Sequence, residues 1–303
     1  MRLQRALLAV VTALATGAGP QIAGLLTASI AHAAEPPSLR FSASVQGEGP
    51  DVILIPGLAS SAHVWDVEAP RLKGYRLHIL QIRGFAGAPA GANAEGPLLT
   101  PLVEALFASI QAEGLKRPAV VGHSLGGLVG LMLADRHPDA LGQLLIVDAL
   151  PFYGLLFSPN ASVATVETQA RAVRDALSGQ SQSDFAASEP AAMARLIKSK
   201  GAAAEAAVAA AQASDHGVVA RAFYEDLTTD LRPKLASIRT PVVILYPFDA
   251  AIGEPQAAID GLYQGAFAPL PNKRLVRIDN AFHFIMIDQP EALHREIAVF
   301  LAR

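Results

Sequence analysis

Ser124 lies at the centre of a G-x-S-x-G pattern, with Gly122 two residues before it and Gly126 two residues after it. A serine hydroxyl is a weak nucleophile unless a base takes its proton and hydrogen-bond donors stabilise the oxyanion that forms. A sharp turn between a strand and a helix exposes the hydroxyl, and it requires glycine where a Cβ would clash. The pattern therefore predicts a nucleophilic serine at a strand-to-helix turn.

The residues on either side of this pattern favour that interpretation over a glycine-rich helix start with a solvated serine. Residues 119–121 form an apolar, mostly β-branched run that is typical of a buried strand. An apolar sequence with a helical period follows Ser124, and Gly127 and Gly130 within it would let the helix lie close to the sheet. The order of strand, turn and helix is therefore predicted around the serine.

His283 is the candidate general base, which would take the proton of Ser124 and return it to the leaving group. Among the eight histidines, it is the one in a loop after the last predicted strand, residues 274–278, where Phe282 and Phe284 flank it. Open α/β sheets place their sites at the C-terminal ends of the strands, which is where this loop begins. The sequence therefore predicts that His283 and the serine meet at that edge.

Two aspartates compete for the acid that would orient the imidazole and stabilise its charged form. Asp148 directly follows an apolar strand, and Asp249 lies four residues beyond Leu245, the end of another. We favour Asp249, because a loop of this length can bend the carboxylate toward His283. Asp148 is instead expected to bind backbone N–H groups of the turn at 149–151, although it stays open as the alternative acid.

Four motifs together resemble those of the α/β-hydrolase superfamily, over the chain from about Leu39 to the C-terminus. They are Ile53-Leu54-Ile55-Pro56-Gly57-Leu58, Arg83-Gly84-Phe85-Ala86-Gly87, Gly122-His123-Ser124-Leu125-Gly126-Gly127 and Asn280-Ala281-Phe282-His283-Phe284. The order of serine, acid and histidine is also that of the superfamily. One departure is that Pro56-Gly57 stands where many members have His-Gly.

The resemblance implies an α/β fold with a mostly parallel central sheet, flanking helices and an inserted helical cap. It implies a serine hydrolase that forms an acyl-enzyme on Ser124, with the backbone N–H groups of Leu58 and Leu125 as the oxyanion hole. The departure at Pro56 leaves the assignment of Leu58 intact, since the donor is a backbone group.

The predicted reaction is the hydrolysis of a carboxylic ester or a close relative of one. Thioesters, amides, the carbon–carbon bond of a β-diketone-like substrate and acyl transfer to an alcohol all use the same residues, and fold does not choose among them. Serine at position 124 argues against haloalkane dehalogenase and epoxide hydrolase chemistry, which places aspartate there in this superfamily. A different class, a non-catalytic binding protein with a hydrolase shell, is the remaining alternative. No metal-ligand spacing occurs, so neither a metal nor a cofactor is predicted.

A long segment without a strand pattern separates the strands at 144–147 and 242–245. It extends from about residue 152 to 237, which is too long for a simple connection and indicates a helical cap over the site. Its helix-favouring runs are residues 166–177, 191–200 and 202–213.

An apolar cluster opens this cap, and it comprises Phe152, Tyr153, Leu155, Leu156 and Phe157. We expect these side chains to line the acyl pocket or its mouth. The alternative is plain packing between the cap and the core, because aromatic clusters at such junctions commonly pack.

Composition limits the classes of partner. The chain has 303 residues, of which 51% are hydrophobic and 17% charged, with a net charge of −3. These values suit one large α/β domain with a substantial core. Nucleic acid is not an expected partner, since no basic run could neutralise phosphates. The expected partner is a small, apolar acyl substrate. The chain has no cysteine, which excludes disulfides and thiol chemistry.

The N-terminus has the pattern of a secretory signal. Arg2 and Arg5 precede an apolar run at residues 6–15, and an A-x-A site ends at Ala33. We therefore predict a signal peptide over residues 1–33, with export to the periplasm or the medium.

An uncleaved membrane anchor is the alternative interpretation of this segment. Pro20 and nearby glycines interrupt any continuous apolar span of the ~20 residues that a bilayer requires. The mature hydrolase domain is thus expected to comprise residues 34–303, without stable membrane insertion.

A short hairpin pattern precedes the first buried strand. Apolar and polar residues alternate over residues 39–45, a turn follows at 47–50, and residues 52–55 are wholly apolar. We expect a half-exposed edge strand that pairs with the buried strand at 52–55.

Overall fold

A computed structural model describes residues 39–302 of the chain. Seven strands form one sheet in the order β1-β3-β2-β4-β5-β6-β7. The strands are β1 (Phe41–Gln46), β2 (Asp51–Ile55), β3 (Arg76–Ile82), β4 (Ala119–His123), β5 (Gln143–Val147), β6 (Val242–Phe248) and β7 (Lys273–Asp279). All neighbouring strands pair in parallel except β1, which runs antiparallel to β3. The prediction of an α/β fold with a mostly parallel sheet is confirmed.

The predicted partner of the edge strand is wrong, because β1 pairs with β3 and not with β2. The turn at Gly47 passes the residues that lead into β3. A Cβ on Gly47 would lie only 2.4 Å from the carbonyl oxygen of Tyr75, and Gly47 has a φ of +78° that favours glycine. The chain thus crosses the residues before β3 as it passes from β1 to β2, and β3 lies between these two strands in the sheet.

The central strands are buried because helices cover the sheet. These helices are α1 (Leu99–Ala112), α2 (Leu125–Arg136), α7 (Gln256–Ala266), α8 (Ile285–Asp288) and α9 (Pro290–Leu301). Strand β4 is buried along its whole length, and β5 is buried except at its first residue. Burial on both faces explains why their sequences are continuous apolar runs and do not alternate.

Four helices lie between β5 and β6 and form the cap. They are α3 (Val163–Ser178), α4 (Gln182–Met193), α5 (Ala202–Gln212) and α6 (His216–Thr228). Helix α3 packs along α6, and α4 packs against α5. The described residues between β5 and β6 contain no strand, as the sequence predicts.

One of the predicted cap helices is misplaced. The sequence favours a helix at 191–200, whereas α4 ends at Met193 and has Pro190 inside it. Ser181 caps the true start, since its side chain accepts the backbone N–H of Asp184. The N–H groups of Lys198 and Ser199 bond to a carboxylate outside the cap and are not available for a helix.

The predicted signal segment, residues 1–33, lies outside the described residues and stays a prediction. Within residues 39–302, the structure contains no helix with the length and apolar character needed to cross a membrane.

A carboxylate on the cap binds the start of a core helix. Both oxygens of Glu225 on α6 accept backbone N–H groups, from Leu98 at 2.6 Å and from Leu99 at 2.8 Å. The first N–H groups of a helix have no intrahelical acceptor, so an external carboxylate satisfies them and also interacts with the helix dipole. The cap thereby stabilises the N-terminus of α1.

We predict that Glu225→Gln lowers the free energy of unfolding by about 1–2 kcal/mol, because an amide has one acceptor atom and no charge. Urea denaturation followed by circular dichroism measures the change. Glu205→Gln is the matched control, since Glu205 lies in the first turn of α5 but is exposed. Equal stability of the two variants would contradict the role of Glu225.

Candidate active site

Ser124 occupies a strained turn between β4 and α2. Its φ is 52° and its ψ is −122°, a conformation that costs a residue with a Cβ about 1–3 kcal/mol. The two flanking glycines make the turn feasible, because a Cβ on Gly122 would lie 2.3 Å from the carbonyl oxygen of Gly126. The structure therefore places Ser124 on the turn that the G-x-S-x-G pattern predicts.

Two backbone N–H groups beside Ser124 are unoccupied. Among residues 39–302, no acceptor binds the N–H of Leu58 or that of Leu125. Leu125 begins α2, and the loop of Leu58 lies against the serine, since a Cβ on Gly57 would be 3.1 Å from the Cβ of Ser124. Unpaired N–H groups at such a turn are suited to bind a developing oxyanion.

His283 is paired with Asp148, at 2.6 Å between the imidazole Nδ1 and the carboxylate Oδ2. A carboxylate only accepts hydrogen bonds, so Nδ1 carries the proton. The other ring nitrogen, Nε2, then has a free lone pair and can act as a base. Both His283 and Ser124 line one cavity.

The preference for Asp249 as the acid is wrong. Asp249 forms an ion pair with the Nζ of Lys198, and its Oδ1 accepts the N–H of Ala251 at 2.8 Å. The cap lysine and the turn after β6 thus hold this carboxylate away from the imidazole. The sequence contains no signal for that contact, since Lys198 lies 51 residues earlier in the chain.

Asp148 also differs from its expected role, because its carboxylate binds side chains and not the turn at 149–151. Its backbone has a φ of 53°, and its N–H donates to the carbonyl of Leu245 at 2.8 Å. The hydroxyl of Tyr263 donates to Oδ1, which leaves Oδ2 for His283. Burial, and then the charge of Asp148, raise the pKa of Tyr263 well above its usual range, so the phenol remains a donor.

His123 is a site residue whose role the sequence did not indicate. It is buried, and its Nε2 lies 3.2 Å from the backbone carbonyl oxygen of His283, to which it can donate. Burial, and then the neighbouring His283, lower the pKa of His123 well below its usual range. A neutral His123 therefore fixes the backbone of the base without competing for its proton.

Asp288 supports the loop of His283 from the other side. Its carboxylate accepts the N–H of Phe282 at 2.8 Å and those of Ser199 at 2.8 Å and Lys198 at 3.1 Å. One buried side chain thereby joins the base loop to the cap segment after α4.

The cavity at Ser124 has a volume of about 250 Å³ and lies between the sheet edge and the cap. Most of its lining is apolar, which suits an apolar substrate. The apolar cap residues that line it include Leu177, Phe185, Met193, Leu196, Val219 and Phe223.

The apolar cluster at the start of the cap is divided between two roles. Tyr153 and Leu156 line the cavity, as predicted. Phe152 does not, because it is fully buried in a separate cluster with Ala161 and Val166. Phe157 packs against that same cluster, so both phenylalanines support the cap and do not line the cavity.

Tyr153 has a contact that the sequence did not predict. Its phenol donates to the backbone carbonyl of Asp148 at 3.5 Å and lies beside the side chain of Ser124 in the cavity. Burial raises the pKa of Tyr153 well above its usual range, and nearby carboxylates add to this effect. A neutral phenol therefore lies next to the candidate nucleophile.

Two further carboxyl groups line the cavity, Glu189 on α4 and Asp226 on α6. Each residue is 7% exposed. Burial raises the pKa of Asp226 to about 8 and that of Glu189 to about 7. Neither position was a candidate in the sequence, where both lie outside the helix-favouring runs and Asp226 directly follows Glu225.

Comparison with known proteins places this geometry in context. A family model described as "Alpha/beta hydrolase family" matches residues 52–296. A pimeloyl-[acyl-carrier protein] methyl ester esterase of Aromatoleum aromaticum is 29% identical over 253 residues, which is 80% of this chain and 94% of the relative. A putative carbamate hydrolase RutD of Cronobacter turicensis is 34% identical over 111 residues, or 36% of this chain and 41% of the relative. Several curated relatives thus match over less than half of their length.

The fold also matches solved structures. The esterase from Exiguobacterium antarcticum has a TM-score of 0.71 at 18% identity and covers 87% of this chain and 96% of its own. At that identity, the likeness concerns the fold alone.

The unpaired carboxyl of Asp226 leads to a prediction about stability and pH. Its folded pKa of about 8 is above its unfolded value, so the folded state binds the extra proton between about pH 4 and pH 8. The contribution of this group to the free energy of unfolding is greatest below about pH 4. It falls as the pH rises from about 4 to about 8, the folded pKa. Asp226→Asn removes that loss, and we expect the variant to gain on the order of a few kcal/mol at pH 7 and far less at pH 4.5.

Urea denaturation of both proteins at the two pH values measures this difference. Asp139→Asn is the control, since Asp139 is exposed in a turn. A stability gain for Asp226→Asn that is independent of pH would contradict the burial of an ionisable group at this position.

Proposed function

The chain belongs to the alpha/beta hydrolase family, and we propose that it hydrolyses ester or related acyl bonds through an acyl-enzyme on Ser124. The contact of His283 Nδ1 with Asp148 Oδ2 at 2.6 Å is the observation that carries the proposal. It leaves the opposite imidazole nitrogen free as a base in the cavity that also contains the serine.

In the first half of the reaction, His283 Nε2 takes the proton of Ser124 while the serine oxygen attacks the acyl carbon. The carbonyl oxygen becomes an oxyanion, and the free N–H groups of Leu58 and Leu125 bind it. Asp148 holds the imidazole in the required tautomer and stabilises its positive charge. His283 then gives the proton to the leaving alcohol, which departs.

In the second half, water attacks the acyl-enzyme with His283 again as the base. The proton returns to Ser124 as the acid product leaves. Tyr153 lies beside the serine in the same cavity. Its neutral phenol cannot compete with His283 for the proton, because burial keeps its pKa high.

The apolar lining of the cavity supports a carboxylic ester with an apolar part as the substrate. Thioesters, amides, carbon–carbon bonds and acyl transfer differ from this reaction in the leaving group or in the acceptor. The free N–H groups of Leu58 and Leu125 and the strained Ser124 favour an enzyme over a binding protein, since a binding site needs neither.

A fluorophosphonate probe tests the nucleophile. We expect the probe to label the wild-type protein and to leave Ser124→Ala unlabelled, because the probe forms a covalent bond only with an activated serine oxygen. Ser109→Ala is the control, since Ser109 lies on α1 and bonds to Glu113. Labelling of Ser124→Ala would overturn the proposal. Hydrolysis of p-nitrophenyl esters of graded acyl length, with thioesters and amides beside them, then identifies the bond that is cleaved.

The assignment of the acid predicts opposite outcomes for the two aspartates. Asp148→Asn is expected to lower kcat by on the order of 10⁴ with the fold retained, because the imidazole takes the wrong tautomer. Asp249→Asn is expected to lower kcat by less than about tenfold, since Asp249 contacts Lys198 and not the base. Steady-state kinetics on one p-nitrophenyl ester, with circular dichroism as the check on folding, measure both. The reverse order of the two effects would give the role to Asp249.

A further inference from the structure

Two carboxyl groups in the cavity have no part in the proposed reaction. Asp226 and Glu189 approach from different cap helices, and both are more than nine-tenths buried. Among residues 39–302, neither carboxyl makes a hydrogen bond or an ion pair, and Oδ1 of Asp226 is enclosed without any partner. These groups therefore do not stabilise the cap by bonding to it.

Burying a carboxyl without a partner costs stability, and an aliphatic side chain would fill the same space at no such cost. The surrounding lining is apolar and would accept one. Buried ionisable groups without a partner that face a cleft cluster at functional sites. The cavity beside Ser124 is the space that both groups line, so the partner is a group of the substrate.

The charges around the cavity indicate the nature of that partner. Arg195, which lines the cavity rim, is solvent-exposed, and no buried lysine or arginine is present among the described lining residues. His123 is neutral, because burial lowers its pKa. His283 is held by Asp148. Among residues 39–302, no buried cation stabilises the ionised form of either carboxyl, so a cationic group of the substrate would favour that form and an anionic group would oppose it.

The position of Asp226 places that partner near the reacting bond. Tyr153 lies beside Ser124, and Asp226 lines the same cavity near Tyr153. A substrate bound to the serine therefore passes Tyr153 and reaches Asp226 with the part of the molecule that does not react.

We propose that the substrate of this hydrolase carries a basic nitrogen away from the scissile acyl bond, and that Asp226, assisted by Glu189, binds it as an ion pair. This inference rests on the proposed function of Ser124. If the nitrogen enters as a neutral amine, the proton moves from the Asp226 carboxyl to the nitrogen and no other reactant is needed. If it enters as an ammonium, Asp226 releases its own proton to solvent. Either route gives one ammonium and one carboxylate in a water-poor cavity, where a charge-assisted hydrogen bond is strong.

Two pairs of esters with matched shapes test the proposal. One pair is 2-(dimethylamino)ethyl butanoate and 3-methylbutyl butanoate, with the nitrogen in the alcohol. The other is methyl 6-(dimethylamino)hexanoate and methyl 7-methyloctanoate, with the nitrogen in the acyl chain. The pH-stat measures kcat/KM for each, and the ratio of amine to hydrocarbon ester within a pair cancels effects on the reaction itself.

For the wild-type protein, we expect kcat/KM for the amine ester to exceed that for the hydrocarbon ester by more than about tenfold in at least one pair. The ratio should fall by at least about tenfold in Asp226→Asn and by less in Glu189→Gln, since charge-assisted hydrogen bonds contribute about 1.5–3 kcal/mol, or ten- to a hundredfold. Glu205→Gln removes an exposed cap carboxylate outside the cavity and should not change the ratio. Equal hydrolysis within both pairs, or a ratio that survives in Asp226→Asn, overturns the inference while the hydrolase assignment stands.

A second measurement decides the case in which none of the four esters is cleaved. Hexylamine and hexanol are compared as protectants of Ser124 against the fluorophosphonate. Protection by hexylamine at a tenfold lower concentration than hexanol, lost in Asp226→Asn, supports the basic nitrogen. Equal protection by the two compounds overturns the inference, because the neutral hydroxyl of hexanol would then bind as well as the amine. Absence of labelling in the unprotected wild-type protein overturns the proposed function itself.

Discussion

The strained turn at Ser124 is the constraint on which the rest of the site depends. A serine holds a φ of 52° only because β4 and α2 approach so closely that nothing but hydrogen fits at Gly122. The N–H of Leu125, at the start of α2, has no acceptor within residues 39–302. Strain, exposure of the hydroxyl and the oxyanion donor thus have one cause, which is the packing of a helix onto buried parallel strands.

The parts of the site that could be predicted from the sequence are those that one short segment determines. The turn at Ser124 is specified by glycines two residues away, and His283 by its place after the last strand. The acid could not be chosen, because Asp148 and Asp249 both follow strands at the same edge of the sheet. The choice depends on Lys198, which reaches Asp249 from the cap, and on Tyr263, which donates to Asp148. Such contacts join distant segments and leave no local pattern.

The same distinction applies to the fold and to the cap. The strands of the parallel sheet were recognisable as continuous apolar runs, whereas the partner of β1 depended on the path of a turn past Tyr75. In the cap, Asp226 and Glu189 lie in ordinary helical sequence, and only the packed structure shows that they face an apolar cavity. Phe152 illustrates the converse, since its apolar character suits both a pocket and the buried cluster that it occupies.

Asp288 links the cap to the loop that contains His283. Its carboxylate binds Ser199 of the cap and Phe282 of the base loop at the same time, and Phe284 donates its N–H to the carbonyl of Leu196 at 3.2 Å. A motion that lifts this edge of the cap breaks the supports of the residues on both sides of His283. The position of the loop around His283 and the position of this edge of the cap therefore depend on each other, while Asp148 and His123 hold the histidine itself from the sheet.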